Sequence, residues 1–214
     1  MKKYSYYLFD ADGTLFDTTE LIYKCFLYTL KKFKGPKKTK QEIIQNIGLT
    51  LRGQLETYFG VLTDERYNQI SKEHMKYQLS IYKKYLKLFP NVSDTIKILS
   101  KNGCFLGVVS SRRKDTLDLY LKETGIYNFF NVIVSPEDTI KHKPEPEPII
   151  KAISLLGAKD KSTVLYIGDS EYDIECGFRA GIDTAFVKWS KNNYNEFSFK
   201  PTYILENIFE LCKE

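Results

Sequence analysis

Tyr4-Ser5-Tyr6-Tyr7-Leu8-Phe9-Asp10-Ala11-Asp12-Gly13-Thr14-Leu15 is an aromatic-rich apolar run that stops abruptly at two carboxylates. Residues 4–9 read as a β-strand, and Gly13 marks the turn that follows. Asp10 and Asp12 lie two apart just past that strand, so their like charges crowd one pocket and require a cation. A calcium loop of the EF-hand type needs glycine at its sixth position and a helix before it. Here Gly13 is fourth from Asp10 and a strand precedes. A surface turn with incidental aspartates is the plain alternative, and it weakens as other strand ends prove to carry acids too.

Outward from this strand the pattern becomes helical. Asp17 and Glu20 have the spacing of a capping box, and Leu21, Ile22, Cys25, Phe26, Leu30 and Phe33 then share one helical face until Gly35-Pro36. Thr39 and Glu42 repeat the box, and residues 51–59 and 64–87 again read as helices. From Phe89-Pro90-Asn91 onward, strands and helices alternate. Ser93 is expected to cap a helix ending at Asn102-Gly103. Strands are expected over Phe105–Val109, Val132–Val134, 164–167 and 184–187, with helices reaching Gly125 and spanning 148–156 and 174–180. Such alternation predicts an α/β fold, a Rossmann-like three-layer core around a parallel sheet. An all-helical domain over residues 16–88 is inserted between the two parts of that core, 1–15 and 89–214. A length of 214 residues, set against roughly 150 per domain, suits one domain carrying an insertion.

Composition excludes several classes. With 43% hydrophobic and 28% charged residues the chain is ordinary globular protein, not disordered or collagen-like. Its longest apolar run, 104–109, is far below the roughly 20 residues that span a bilayer. Cys25, Cys104, Cys176 and Cys212 are widely separated with no Cys-x-x-Cys pair, and Met1-Lys2-Lys3 leads into no signal-like segment, so reduced thiols and a cytoplasmic location are expected. Residues 16–90 hold 14 Lys and Arg against 7 Asp and Glu, net +7, while the rest is net −2. The densest part, Lys31 to Lys40, reads as a solvated face, and with no nucleic-acid motif beside it no nucleic-acid partner is expected.

Ligand sites in open parallel sheets lie beyond the carboxyl ends of the strands. Those ends carry Asp10 and Asp12, Ser110-Ser111-Arg112, Lys141-His142-Lys143-Pro144, and Gly168-Asp169-Ser170 with Asp173 beyond. Taken together these four stretches resemble the motifs of the haloacid dehalogenase superfamily over nearly the whole chain. The branch most alike contains phosphoglycolate phosphatase-like enzymes and a bacterial pyrophosphatase, and the inserted helices resemble its small helical cap. The resemblance implies a nucleophilic Asp10 that forms an aspartyl phosphate, and Asp12 as acid and then base. It implies Lys143 as the neutralising cation and Ser110 and Ser111 as phosphate binders. The implied magnesium ligands are Asp10, the Asp12 carbonyl and Asp169, with Asp173 beside the ion. In the cap, Thr50 and Arg52 are the candidates for gripping the leaving group, and residues 15–17 and 89–92 for the hinges.

Charge counting supports these roles. Four aspartates set against magnesium and Lys143 leave −1, which suggests that Asp12 is protonated when substrate binds. The expected activity is magnesium-dependent hydrolysis of a small phosphorylated metabolite, phosphoglycolate-like, by a monomer or homodimer. A pyrophosphatase and a sugar-phosphate mutase are the alternatives among enzymes, and a phosphate- or polyanion-binding regulatory module is the alternative outside them. A dehalogenase is disfavoured, because halide departs without a proton and needs no second acid such as Asp12.

Overall fold

A computed structural model of the chain describes residues 1–190 and 192–213. Strand β1 (Tyr6–Phe9) is followed by four helices, α1 (Thr19–Lys32), α2 (Lys40–Ile44), α3 (Leu51–Phe59) and α4 (Asp64–Tyr85). Then come α5 (Val92–Lys101), β2 (Phe105–Val109), α6 (Lys114–Glu123), β3 (Val132–Val134), α7 (Glu147–Leu156), β4 (Val164–Gly168), α8 (Glu171–Ala180), β5 (Asp183–Val187) and β6 (Tyr203–Leu205). The six strands form one sheet in the order β3-β2-β1-β4-β5-β6, every neighbouring pair parallel. β1 sits inside the sheet between β2 and β4, with Leu8 opposite Gly107 and Tyr166.

Side chains alternate across the sheet as strand geometry requires. Tyr7 and Phe9 face one layer with Leu106, Val108, Leu165 and Ile167, where Ile96, Leu99, Leu117 and Tyr120 of α5 and α6 cover them. Leu8 and Tyr166 face the other, packing with Ile149, Ala152 and Cys176 of α7 and α8. Burial of both faces explains why the strands are continuous apolar runs. The helical insertion has a core of its own around Ile22, Phe26, Leu30, Ile43, Leu55 and Ile70. Each of these larger side chains contributes roughly 1.5–3 kcal/mol by leaving water.

The two connections to the insertion run side by side. The Asp17 amide donates to the Lys87 carbonyl (2.9 Å), the Phe89 amide to the Leu15 carbonyl (3.0 Å), and Phe16 bridges Leu88 in antiparallel fashion. Helix α1 begins at Thr19, and the Asp17 carboxylate, instead of capping it, pairs with Lys87 at 3.0 Å. The expected Thr39–Glu42 box does form, at α2. Ser93 lies inside α5, whose N-cap is Asn91 in the left-handed region (φ 65). β6 is an edge strand that the sequence reading does not include. Cys25, Cys104, Cys176 and Cys212 are free thiols. Among the described residues no helix is long and apolar enough to cross a membrane.

Candidate active site

Asp10 leaves the carboxyl end of β1 with its amide fixed to the Ile167 carbonyl (2.8 Å) and its side chain buried. Lys143 meets it there. The ammonium donates to Asp10 Oδ1 (2.6 Å), Asp173 Oδ1 (2.7 Å) and the Tyr166 hydroxyl (3.1 Å), and its side chain is 1% exposed. Prolines 144, 146 and 148 restrict the backbone that carries it, so the ammonium arrives on a stiff segment. Tyr166 also donates within a network that reaches the Val109 carbonyl (3.0 Å) and Asp173 Oδ1 (2.9 Å).

Asp173 stands at the start of α8 in a complete capping box with Ser170. Its Oδ2 accepts from the Ser170 hydroxyl (2.6 Å) and the amides of Ser170 (3.0 Å) and Asp169 (3.2 Å). Both oxygens of Asp173 are therefore engaged, and Asp173 positions Lys143 and the 168–170 turn. Asp169 is less encumbered; Asn192 Nδ2 donates to its Oδ2 at 3.2 Å. Gly13 (φ 88) makes room for that carboxylate, since a Cβ there would stand 2.3 Å from Asp169 Oδ2. Asp10, Asp169 and Asp173 each offer an oxygen within 4.8 Å of the others. An all-oxygen, buried, mutually repelling set with a cleared approach fits a hard divalent cation.

Burial raises the Asp10 carboxyl to about 7, against the pull of the Lys143 ammonium and with added repulsion from Asp173. Burial, then Asp173 and Asp10, lift Asp169 well above the usual carboxylate range. Asp173 moves the other way, held down by Lys143, Ser170 and Tyr166 despite its burial. Carboxyls raised in the folded state keep protons that the unfolded chain has released, so their linkage lowers stability as pH rises. Measured against Asp10→Asn, chelator-treated wild-type protein is therefore expected to lose thermal stability between about pH 4 and pH 7, the interval from an unfolded aspartate to Asp10 in place. The comparison cancels His74, whose buried neutral imidazole works in the opposite direction over the same range. Melting temperatures of the two proteins across that range check this; a difference that stays constant contradicts it.

Asp12 is turned to a partner that the sequence reading quotes but does not assign. Arg112 Nε donates to Asp12 Oδ2 (2.7 Å) and Nη2 to Oδ1 (2.8 Å), while the Thr18 hydroxyl also donates to Oδ1. The Arg112 side chain is 6% exposed, with its guanidinium 4.5 Å from the centre of the Tyr120 ring, a cation–π contact that fixes its plane. Its charge brings the balance of four aspartates, one divalent ion and Lys143 to zero. The charge argument for a proton on Asp12 thus falls away. Nothing in the local sequence distinguishes Arg112, because its partner lies 100 residues distant.

The remaining expected residues divide. Ser110 follows β2, its amide bonded to the Val134 carbonyl (3.0 Å) and its hydroxyl accepting from the Arg112 amide (3.2 Å). Ser111 beside it has a buried hydroxyl without a partner, in a cavity that Asp10 and Asp12 also line. In the insertion, the Thr50 hydroxyl caps α3 by accepting from Gly53. Arg52 turns to Glu56 (3.0 Å), Asp64 (2.7 Å) and the Leu62 carbonyl (2.8 Å), all within the insertion. Neither lines the cavity; their neighbours Leu49, Leu51 and Gln54 do.

Comparison with known proteins agrees with this geometry. The sequence model of haloacid dehalogenase-like hydrolases matches residues 7–187. The chain is 32% identical over 205 residues to pyrophosphatase PpaX of Anoxybacillus flavithermus, covering 95% of this chain and 93% of that one. It is 35% identical over 206 residues to pyrophosphatase PpaX of Bacillus pumilus, with the same coverage, 95% and 93%. A haloacid dehalogenase-like hydrolase from Bacteroides fragilis superposes with a TM-score of 0.89 at 30% identity, covering 98% of this chain and all of that one.

Proposed function

Because the chain belongs to the haloacid dehalogenase-like hydrolase family, we propose that it is a magnesium-dependent phosphohydrolase whose Asp10 takes the phosphoryl group of a small phosphorylated metabolite. The observation that carries this reading is the buried contact of Lys143 with Asp10 (2.6 Å) at the carboxyl end of β1. It holds a cation against the attacking oxygen, where an incoming dianion would otherwise be repelled.

Asp10 and Asp169, with the Asp12 carbonyl and with Asp173 alongside, would hold the magnesium ion, which supplies positive charge to the phosphoryl oxygens. Lys143 supplies more of that charge, and Ser110 and the unpartnered Ser111 hydroxyl offer donors to the non-transferring oxygens. An Asp10 oxygen bonds to phosphorus as the ester or anhydride bond breaks, and Asp12 gives a proton to the departing oxygen. Water then attacks the phosphorus of the aspartyl phosphate, Asp12 accepts its proton, and Asp10 is released with orthophosphate. The bidentate contact with Arg112 is one that a carboxylate makes, so it suits the second half of this cycle. A second reading, pyrophosphate as substrate, draws on relatives named as pyrophosphatases.

With p-nitrophenyl phosphate as substrate, phosphate release is expected to stop on chelation and return with magnesium. In kcat/KM, which ends at formation of the aspartyl phosphate and so leaves out the shared base step, Asp12→Asn is expected to cost about tenfold or less on this good leaving group but about 10²–10³-fold on an alkyl phosphate, which needs a proton donated. Equal losses on the two substrates refute the acid role, and chelator-resistant turnover refutes the metal requirement.

A further inference from the structure

The cavity above Asp10 has two chemically different walls. The core side presents Asp10, Ser110, Ser111 and Arg112, suited to the phosphoryl group. The insertion side is formed by apolar side chains such as Phe26, Leu49 and Met75, together with Gln54, His74 and Gln78. Among the described residues no lysine or arginine of the insertion lines it. The two arginines from the core are already paired, Arg112 with Asp12 and Arg113 with Asp115 (3.2 Å). A leaving group that is itself an anion finds no uncommitted cation in this lining.

Two polar atoms of the insertion's lining residues are acceptors without a donor. Gln54 is 8% exposed, and its Nε2 donates to the Leu49 carbonyl at 2.9 Å. Since a carbonyl can only accept, the amide orientation is fixed and Oε1 is left buried with no partner. His74, 3% exposed, lies 3.0 Å by its Nδ1 from the Thr29 hydroxyl. That hydroxyl spends its one proton on the Cys25 carbonyl (2.8 Å), so it accepts from Nδ1–H. Burial, with the Arg112 charge nearby, pushes the imidazole down to about 3 and keeps it neutral, which leaves Nε2 as a bare lone pair. An orphaned buried acceptor is costly unless an occupant of the cavity satisfies it.

We propose that Gln54 Oε1 and His74 Nε2 are the specificity-determining acceptors of the site, selecting an uncharged, hydroxyl-bearing leaving group, so that the preferred substrate is a polyol monophosphate. This rests on the phosphohydrolase reading above and narrows its substrate class. The apolar side chains around the two acceptors accommodate the carbon skeleton, and the substrate hydroxyls donate to them. Propyl phosphate offers the skeleton without the donors. Pyrophosphate and phosphoglycolate offer an anion where this wall offers two lone pairs and no cation.

The test compares kcat/KM for glycerol 1-phosphate, propyl phosphate, pyrophosphate and phosphoglycolate with the magnesium-loaded wild-type protein, then repeats the first two with Gln54→Met. Glycerol 1-phosphate is expected to exceed each of the others by at least about tenfold, about the worth of one well-made hydrogen bond to a buried acceptor. The ratio of glycerol 1-phosphate to propyl phosphate is expected to fall at least about threefold in the variant. A smaller preference in the wild type, or a smaller fall in Gln54→Met, overturns the proposal. A ratio taken within one protein sample cancels any loss of folded enzyme, and the wild-type ranking needs no variant at all. p-Nitrophenyl phosphate serves as the parallel control. Its turnover without a polyol preference sinks this inference alone, whereas failure to turn it over sinks the underlying phosphohydrolase reading.

Discussion

Asp10→Asn is expected to lower kcat by at least about 10³-fold on every phosphorylated substrate, with little change in folding, because in the proposed mechanism it removes the covalent nucleophile while keeping the shape of the side chain. The amide is nearly the same size as the carboxylate and can still accept from Lys143 Nζ, which lies 2.6 Å from Oδ1. Its nitrogen and oxygen cannot displace an alkoxide from phosphorus at a useful rate. The stability consequence runs opposite to the catalytic one. Burial lifts the Asp10 carboxyl to about 7, so its charged form is an unfavourable occupant of that position in the absence of metal. A neutral amide escapes that cost. Without metal at pH 7.5, the variant is expected to melt at or above the wild-type temperature; with magnesium the order reverses, because one ligand has been lost. Steady-state kinetics with scanning calorimetry measure both. Activity within tenfold of wild type shows that Asp10 is not the attacking group.

Lys143→Met is expected to cost about 10²–10³-fold in kcat, the usual loss when one preorganised donor to developing charge is removed. It is also expected to cost about 3–5 kcal/mol in stability, because removing one partner of a buried ion pair leaves the other uncompensated. Here two carboxylates are left, Asp10 and Asp173, each within 2.7 Å of the lost ammonium. The two effects separate in the double variant Lys143→Met/Asp173→Asn. Neutralising Asp173 relieves the stranded charge and is expected to restore much of the melting temperature without restoring turnover. If the double variant regains both, the lysine serves only to offset Asp173. If Lys143→Met alone retains turnover, the ammonium has no part in phosphoryl transfer.

What the sequence made legible follows from the range of the interactions involved. The strand ending at Asp10 and the alternation after Phe89 are local patterns, and the parallel sheet follows from them. The Thr39–Glu42 box is equally local and forms as expected. Asp17 has the same spacing to Glu20, but Lys87 of the returning linker takes its carboxylate, a partner no local window contains. β6 is three residues long at the sheet edge, too short to show a period of its own. Arg112 is plain in the stretch Ser110-Ser111-Arg112, yet its role depends on Asp12, which only the folded sheet brings beside it. In the insertion, Thr50 and Arg52 attract notice as polar residues in a loop near a helix start. Their hydrogen bonds are satisfied nearby, and the acceptors that line the cavity, Gln54 and His74, sit on helices as ordinary buried positions. Their distinction is an unpaired atom, which composition and spacing do not encode.

In the proposed mechanism phosphorus becomes bonded to Asp10. Acid-quenching the magnesium-loaded enzyme during turnover of p-nitrophenyl phosphate, then reducing with borohydride and digesting with trypsin, tests it most directly. Reduction converts an acyl phosphate of aspartate to homoserine, and the peptide spanning residues 4–24 contains Asp10, Asp12 and Asp17. Fragmentation is expected to place homoserine at position 10 alone, and only when substrate is present. Homoserine at position 12, or an unmodified peptide from enzyme quenched in active turnover with a burst of nitrophenol, contradicts it.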